Sequence, residues 1–556
     1  MSSRRARMNG VTAIAEILRR EGVEWIGCMP SNPLIEAAAR AGIRPIVCRQ
    51  ERTGVHMADG FSRIHNGRRI GVFLMQAGPG AENAFGGVAQ AFADSVPILL
   101  LPAGANRDRL GVPPTFSPTR SYETITKWSA QINFAHRVPE LMRRAFTKLR
   151  SGRPGPVLLE IPTDVAEEVV DDAAMAYEPP PVIRGGADPA LIDKAADALL
   201  TAERPILHAG QGVLYAEATA ELVRLAEFLQ APVMTTLPGK SAFPEHHPLS
   251  VGTGSRATTA GVHHFLRRAD VVLGIGCSFA KSLFAVPIPG GKTLIHATND
   301  PDDLNKDYPC RFPLVGDAKL VLTLILEALQ RRAGPQGRPT NQTLIDEIRA
   351  VKQAWLAQWL PKLTSDEEPI SPYRVIWDLM QTVDLDNVIV THESGSIREQ
   401  LVPFWEARQP RSFIGWGKST QLGYSLGLAM GAKLAAPQKD VIHLMGDAAF
   451  GMVGLDIETA VRARIPILTL ILNNATMAIY PDSRFPVATE RYQLKKLSGN
   501  FAEVAQALGA YSARIDKPHD IVPAVRRALE VTRAGQPAVL EILIKEEGAA
   551  STFRFE

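Results

Sequence analysis

The chain has 556 residues, of which 46% are apolar, a share typical of a globular protein. A chain of this length is too long for one hydrophobic core and predicts about three domains. Its 61 basic and 58 acidic residues give a net charge of +3. Without a basic stripe, this balance argues against nucleic acid as a partner, and no apolar run is long enough to predict a membrane span.

The N-terminus and the cysteines indicate in which cellular compartment the protein is expected. MSSRRARM is basic but has no apolar region after it, so it predicts no secretory signal, and the early helical pattern argues against a transit peptide. The cysteines are scattered and form no CxxC pair, so we expect neither a disulfide framework nor a zinc site. A reducing, cytoplasmic location is the expectation that follows.

Helices and strands alternate in the first third of the chain. The predicted helices cover residues 11–20, 52–65 and 83–92, and the predicted strands cover 46–48, 70–75, 97–101 and 157–161. Such alternation predicts a doubly wound α/β domain with a mostly parallel sheet.

Two further α/β blocks follow a linker. The Pro- and Gly-rich segment 177–186 predicts this linker. Strands are predicted at 205–208, 232–235, 271–275 and 293–297, and a polar segment at 331–342 ends the second block. We therefore predict three α/β domains, at residues 1–176, 188–330 and 371–556.

The most informative stretch is residues 441–480. Two buried strands, at 441–445 and 465–472, are followed by Asp447 and Asn474 and are joined by a helix predicted at 452–464. Because such a crossover is right-handed, the strands are parallel and these two residues meet at the sheet edge where α/β proteins bind ligands. A carboxylate, an amide oxygen and a loop carbonyl suit Mg²⁺. From spacing alone, an ordinary crossover unit without a metal remains the alternative.

Gly-Asp, followed 27 residues later by Asn-Asn, resembles the diphosphate–Mg²⁺ signature of thiamine diphosphate (ThDP) enzymes. The resemblance implies that Asp447, the Asn474 side chain and the Thr476 carbonyl bind the metal. It also implies cofactor contacts by the neighbouring residues Gly446, Ala448, Ala449 and Met477. The sequence has Ala448 where the usual motif has glycine, which adds only one methyl group.

Glu51 precedes the segment HMADGFSR, which resembles the part of ThDP enzymes that carries the activating glutamate. ThDP must lose the proton on thiazolium C2, and a buried carboxylate with a raised pKa can exchange a proton with N1′ of the aminopyrimidine. The alternative is a carboxylate favoured by the helix dipole. Glyoxylate carboligases lack this acid, so Glu51 argues against that branch.

Two segments resemble family parts that contact the aminopyrimidine half of the cofactor. GPGAENAF resembles a loop near the cofactor at a dimer interface, which implies a role for Pro79 and Asn83, although an ordinary tight turn is the alternative. In GKSTQLGYSLGLAMGA, Leu422 takes the position of a bulky wedge under the cofactor, and the Thr420 carbonyl would hold the 4′-amino group.

A third segment, THESGS, follows the predicted strand 388–390. Gly395 and Ser396 match the phosphate-contacting positions of benzoylformate decarboxylase-like proteins, and small residues there can bind diphosphate through N–H and hydroxyl groups. A plain N-cap is the alternative.

Four neutral residues are candidates for the substrate side. Ser31 and Asn32 match a family loop at the active site, Gln76 takes a position where some relatives carry a catalytic histidine, and Tyr480 follows the metal loop. With Glu51, we expect Ser31, Gln76 and Tyr480 to be catalytic. Such groups would orient a substrate without a dedicated basic residue.

The segment 126–165 and the middle block most resemble the acetolactate synthase-like group. GIGCSFAKSLFAV replaces the arginine- and aspartate-containing stretch of flavin-binding members, so no FAD is expected, and the tryptophan that follows Asn-Asn in strict acetolactate synthases is absent.

The resemblance thus implies a ThDP- and Mg²⁺-dependent lyase or carboligase. It would act on a short 2-oxo acid or 2-hydroxy carbonyl compound through a C2-carbanion/enamine, in a homodimer or homotetramer with active sites at subunit interfaces. A 2-hydroxyacyl-CoA lyase or oxalyl-CoA decarboxylase, and a catalytically inactive regulatory protein of the same fold, are the alternatives.

Overall fold

The computed structural model describes residues 7–171, 176–477 and 480–555. Residues 1–6, which the signal-peptide argument concerns, lie outside this range. Three six-stranded parallel sheets follow one another along the chain, each with helices packed on it, which confirms the predicted α/β fold class.

The first domain has the strand order β3-β2-β4-β5-β7-β6, and all of its pairings in this sheet are parallel. A short antiparallel pair, β1 with β8, lies outside it. The strands are β1 (Arg7–Asn9), β2 (Trp25–Cys28), β3 (Arg44–Val47), β4 (Gly71–Met75), β5 (Ile98–Gly104), β6 (Trp128–Gln131), β7 (Val157–Pro162) and β8 (Val169–Asp171). The helices are α1 (Gly10–Arg20), α2 (Leu34–Arg40), α3 (Glu51–Ile64), α4 (Pro79–Ala93), α5 (Pro118–Ser121), α6 (Val138–Arg150) and α7 (Thr163–Glu167).

The central domain has the strand order β11-β10-β9-β12-β13-β14. Its strands are β9 (Pro205–Ala209), β10 (Val233–Thr236), β11 (Ser250–Gly254), β12 (Val271–Ile275), β13 (Thr293–Thr298) and β14 (Phe312–Val315). Its helices are α8 (Pro189–Thr201), α9 (Gln211–Tyr215), α10 (Thr219–Leu229), α11 (Ala260–Arg268) and α12 (Ala318–Ala333). A 22-residue helix, α13 (Gln342–Leu363), then leads to the third domain.

The third domain has the strand order β16-β15-β17-β18-β20-β19. Its strands are β15 (Val388–His392), β16 (Phe413–Ile414), β17 (Asp440–Gly446), β18 (Leu468–Asn473), β19 (Tyr511–Ile515) and β20 (Ala538–Leu543). Its helices are α14 (Pro372–Thr382), α15 (Ser396–Leu401), α16 (Ser425–Ala435), α17 (Asp447–Val453), α18 (Ile457–Arg462), α19 (Pro486–Tyr492), α20 (Phe501–Ala507) and α21 (Ile521–Arg533).

Two predicted boundaries in this domain were wrong. The helix expected at 452–464 is two helices, α17 and α18, separated by the 3₁₀ turn Gly454–Asp456, and it begins at Asp447 directly after β17. The strand expected from residue 465 begins at Leu468. The early helix start is the important difference, because it places Asp447 at the first position of a helix.

The first and third domains meet where α3 crosses α16. A Cβ atom on Gly427 would lie 2.5 Å from the carbonyl oxygen of Thr53, and one on Gly431 would lie 2.0 Å from that of Met57. A side chain at either position would therefore collide with the facing backbone, and only glycine permits this approach.

A buried charge network lies beside this helix crossing. The guanidinium of Arg63 contacts the carboxylates of Asp59, at 2.6 Å, and Asp94, at 3.1 Å, and it donates a hydrogen bond of 2.9 Å to the carbonyl of Gly415. Asp94 also accepts a hydrogen bond of 3.1 Å from the backbone N–H of Gly417. Arg63 is 1% exposed. The network thus joins the two domains through fully desolvated charges.

Candidate active site

The carboxyl ends of β15, β17 and β18 border a cavity of about 290 Å³, here named the site cavity. It brings together most of the residues predicted from the cofactor motifs. Those that line it are Gly395, Ser396, Thr420, Leu422, Gly446, Asp447, Ala448, Ala449, Asn474, Thr476, Met477 and Tyr480.

Asp447 and Thr476 leave oxygen atoms unused at this cavity. Oδ1 of Asp447 accepts the N–H of Ala448 at 2.9 Å, whereas its Oδ2 and the Oγ1 of Thr476 are buried without a hydrogen-bond partner among the described residues. Oδ1 of Asn474 accepts the N–H of Thr476 at 3.1 Å. Burial raises the pKa of Asp447, while nearby backbone N–H groups lower it. A buried carboxylate with a free oxygen beside amide and hydroxyl oxygens fits the donor set of a hard cation.

Gly395 forms the turn between β15 and Ser396. Its φ is +85°, a left-handed conformation that a side chain rarely adopts, and a Cβ there would contact nothing within 4 Å. With glycine at this position, no side chain covers the backbone at the end of the strand. This arrangement suits close approach of a ligand to the main chain.

Glu393 is a buried site residue that the sequence did not single out. Its carboxylate accepts hydrogen bonds from the hydroxyl of Ser425 at 2.6 Å and the N–H of Ser394 at 2.8 Å. The Ser425 hydroxyl also lies 2.6 Å from Nε2 of His443. Burial raises the pKa of Glu393. A glutamate directly after the buried strand β15 was the available signal.

Residues of the central domain also line the site cavity. Arg256, Leu283 and Phe284 reach it from loops of that domain, and Arg398 and Trp416 reach it from the third domain. The sequence predicted neutral groups for the substrate, so the two arginines are an addition to the expected set. They were missed because nothing in the local pattern of either segment marks a charge that faces a cavity.

The first domain carries a second group of predicted residues. Glu51 is the first residue of α3 and is 6% exposed. A Cβ on Gly80 would lie 3.7 Å from Oε1 of Glu51 and 2.8 Å from the Cβ of Gln76. Glycine therefore lets Gln76 and the start of α4 approach Glu51, and Pro79 and Asn83 lie exposed on that helix.

Asn32 has a structural role that the sequence analysis did not predict. Its Nδ2 donates to the carbonyls of Met75, at 3.1 Å, and Leu101, at 3.0 Å, and its Oδ1 accepts the N–H of Leu34 at 3.0 Å. These bonds tie the loop after β2 to β4 and β5, so the polar atoms of the Asn32 side chain are engaged with the backbone. The neighbouring Ser31 is exposed at the same edge.

The two groups are not part of one cavity within a single chain. Among the described residues that line the site cavity, none belongs to the first domain. The start of α3 nevertheless contacts its border, because Arg52 donates a hydrogen bond of 3.4 Å to the carbonyl of Leu422. We name the first-domain group and the site cavity the two half-sites.

A second cavity, of about 550 Å³, lies between the first and central domains. Its lining includes residues 276–280, part of the stretch on which the absence of FAD was predicted, together with Arg153, His208 and Lys418. Across residues 7–171, 176–477 and 480–555, no cluster of three or more His, Cys, Asp or Glu side chains could hold a metal, and no helix is long and apolar enough to cross a membrane.

Comparison with known proteins identifies the family. Models of the N-terminal TPP binding domain, the central domain and the C-terminal TPP binding domain of thiamine pyrophosphate enzymes match residues 8–129, 192–325 and 393–542. A probable acetolactate synthase large subunit of Methanocaldococcus jannaschii is 32% identical over 97% of this chain and 92% of its own length. The chain belongs to the thiamine pyrophosphate enzyme family.

Thiamine pyrophosphate is another name for ThDP, so the predicted family is confirmed. Two further relatives within this family are a glyoxylate carboligase of Escherichia coli O157:H7, 29% identical over 97% of this chain and 94% of its own length, and the acetolactate synthase isozyme 3 large subunit of Escherichia coli K12, 26% identical over 97% and 95%. Each matched family segment lies within one predicted domain range, and the boundaries themselves stay predictions.

Proposed function

We propose that this thiamine pyrophosphate enzyme is a ThDP- and Mg²⁺-dependent carboligase or lyase that acts on a short 2-oxo acid or 2-hydroxy carbonyl compound. The names of its relatives, acetolactate synthases and a glyoxylate carboligase, support a carboligase. The retained acid Glu51 favours the acetolactate synthase-like group over the glyoxylate carboligases. The observation that carries the proposal is the unpaired Oδ2 of Asp447 beside Thr476 in the site cavity.

Mg²⁺ would be held by the Asp447 carboxylate, the Asn474 side chain and the Thr476 carbonyl. The ion would neutralise part of the diphosphate charge, which the Asp447 carboxylate would otherwise repel. Gly395 and Ser396 would donate to phosphate oxygens from the start of α15.

ThDP, when bound, supplies a carbon nucleophile at C2 that adds to a carbonyl group. Glu51 would exchange a proton with N1′ of the aminopyrimidine, for which its burial and its position at the start of α3 are suited. Leu422 would support the bent cofactor from below, and the Thr420 carbonyl would accept a hydrogen bond from the 4′-amino group. Gln76, Ser31 and Tyr480 would orient the substrate carbonyl.

The active site would be completed by a second copy of the chain. Glu51 and Asp447 lie in separate half-sites of one chain, yet both are proposed to serve one cofactor. A homodimer or homotetramer in which the first domain of one chain faces the site cavity of its partner would bring them together.

The direct test is a substrate screen on the purified protein with ThDP and Mg²⁺. Mass spectrometry of the products from pyruvate, other 2-oxo acids and acyl-CoA thioesters should detect carbon–carbon bond formation or cleavage with a 2-oxo acid. Turnover confined to acyl-CoA substrates would instead favour the 2-hydroxyacyl-CoA lyase alternative. We propose that no flavin is required, so full activity is expected in preparations whose absorbance spectrum has no flavin band.

A further inference from the structure

Arg398 is a buried cation in the wall of the site cavity. It is 1% exposed, and its guanidinium carbon lies 4.2 Å from the ring centroid of Phe284 and 4.5 Å from that of Trp416. Both rings line the same cavity. The aromatic faces fix the plane of the guanidinium and remove water from it, which favours a defined binding geometry.

The hydrogen-bonding capacity of Arg398 is only partly used. Its Nη2 contacts the carboxylate of Glu399, but Nε and Nη1 are buried without a hydrogen-bond partner among the described residues. Buried donors without partners are unfavourable unless a ligand or water satisfies them. Burial and the neighbouring charge of Arg256 lower the pKa of the Arg398 guanidinium to about 9. A bound anion would offset both the burial and the repulsion from Arg256, and it would therefore raise this pKa.

Arg256 lies on the loop after β11 and faces the same cavity from the central domain. It makes no ion pair or hydrogen bond within the described part of the chain. Asp447 keeps one unpaired oxygen in this cavity, whereas Glu393 accepts hydrogen bonds from Ser394 and Ser425, and Glu547 pairs with Lys362 at 2.5 Å. Two like charges thus face one cavity with unused donors.

We propose that Arg256 and Arg398, here named the arginine pair, bind an anionic oxygen group inside the site cavity. This proposal rests on the proposed function, in which two groups carry such oxygens: the carboxylate of a 2-oxo acid substrate and the diphosphate of the cofactor. A guanidinium binds either one through paired N–H donors. The pair would thus supply charged donors that the neutral residues Ser31, Gln76 and Tyr480 do not.

The experiment uses isothermal titration of the full-length protein with four probes. ThDP with Mg²⁺ and inorganic pyrophosphate with Mg²⁺ report on a diphosphate site, and oxamate, added to protein saturated with ThDP, reports on a carboxylate site. Oxamide has the size of oxamate without its charge and is the control ligand.

Three variants test the arginine pair. Arg398→Met keeps the apolar stem between the rings and removes the charge, Arg398→Lys keeps the charge without the planar fork, and Arg256→Ala changes an exposed residue. Arg311→Ala removes an exposed central-domain arginine outside the cavity and is the control variant.

We expect Arg398→Met and Arg256→Ala to weaken binding of either oxamate, or of both ThDP and pyrophosphate, roughly ten- to hundred-fold, with Arg398→Lys intermediate. Oxamide binding should not change in any variant, and Arg311→Ala should bind every probe as the wild type does. A loss confined to oxamate assigns the pair to the substrate carboxylate, and a loss shared by ThDP and pyrophosphate assigns it to the diphosphate. Thermal unfolding shows whether each variant is folded. If Arg398→Met does not fold, the binding measurements on Arg256→Ala test the proposal.

Unchanged affinity for every anionic probe in folded variants would overturn the proposal, as would an equal loss for oxamate and oxamide. Failure of the wild-type protein to bind ThDP, with pyrophosphate binding that still depends on the arginine pair, would instead contradict the proposed function alone.

Discussion

The carbonyl oxygen of Thr53 lies 2.5 Å from the position that a Cβ atom on Gly427 would occupy. Thr53 is two residues after Glu51, and Gly427 is five residues after Leu422. Because the two helices touch at backbone level, the start of α3 and the segment before α16 are held at a fixed spacing. The helix crossing therefore positions residues of both half-sites.

Replacing Gly427 with valine should disturb this crossing. The side chain would overlap the Thr53 carbonyl and the Cβ of His56, which lies 2.6 Å from the same position, so we expect a loss of at least about 1–3 kcal/mol of stability. Thermal unfolding of the two proteins measures the effect. Gly451→Ala is the matched control, since a Cβ on that helical glycine meets nothing within 4 Å. Equal midpoints for Gly427→Val and the wild type would contradict the tight crossing.

Glu51→Gln should bind ThDP normally yet lose about 10²–10⁴-fold in turnover, because an amide can contact N1′ but cannot exchange a proton with it. Steady-state rates on the substrate found in the screen, with cofactor affinity from titration, test this. Glu36→Gln, on the exposed surface of α2, should retain wild-type rates. Undiminished turnover by Glu51→Gln would remove the residue from the mechanism.

Asp447→Ala should abolish ThDP binding, because it removes the only charged ligand proposed for Mg²⁺ and leaves the diphosphate without its counterion. Isothermal titration of ThDP with Mg²⁺, and again with a chelator, measures the metal requirement in the wild type. Glu51→Ala should bind ThDP far better than Asp447→Ala. The same ThDP affinity with and without chelator would rule out the metal site.

A mixture of Glu51→Ala and Asp447→Ala proteins should regain part of the activity after subunit exchange, since one of the two sites in a mixed dimer would have both residues intact. Native mass spectrometry of the mixture verifies that mixed dimers form. If mixed dimers form and activity stays at the level of the separate variants, each site belongs to one chain.

Stability should fall as the pH drops below about 6.5, partly because of His443. Burial lowers the pKa of His443 to about 3. The unfolded chain binds a proton near pH 6.5 and the folded chain does not, so between these values acid favours unfolding by up to about 1.4 kcal/mol per pH unit. His443→Gln should show a shallower loss of thermal stability from pH 7 to 5 than the wild type. The exposed residue His519 provides the control, His519→Gln, which should follow the wild-type curve.

The sequence predicted those elements that have strong apolar patterns. Buried strands such as β12 and β17 are mostly apolar, and their predicted positions were close to the observed ones. β11 has the sequence SVGTG and β14 has FPLV, so glycine and proline hid both strands. In α13 the buried residues are Ile348, Trp355 and Leu363, too few to form a clear stripe over 22 residues.

The residues proposed to bind the cofactor could be singled out in the sequence because a short motif fixes both their identity and their spacing. Asp447 and Asn474 follow neighbouring parallel strands, which topology alone brings together. Arg398 and Arg256 could not be predicted in this way, because their proximity depends on how the central domain packs against the third. Asn32 shows the opposite error, since a polar residue in a motif loop can serve the backbone.

The buried charge of Arg63 affects how the first and third domains can move relative to each other. Its charge is shared between Asp59 and Asp94, and one of its N–H groups is bound to Gly415 in the third domain. Both carboxylates belong to the first domain, so separating it from the third within one chain would keep these ion pairs and would break the charge-assisted hydrogen bond to Gly415, which is worth about 1.5–3 kcal/mol. We therefore expect the two domains to move together. Motion that admits a cofactor is then expected at the loops of the central domain that carry Arg256 and Phe284.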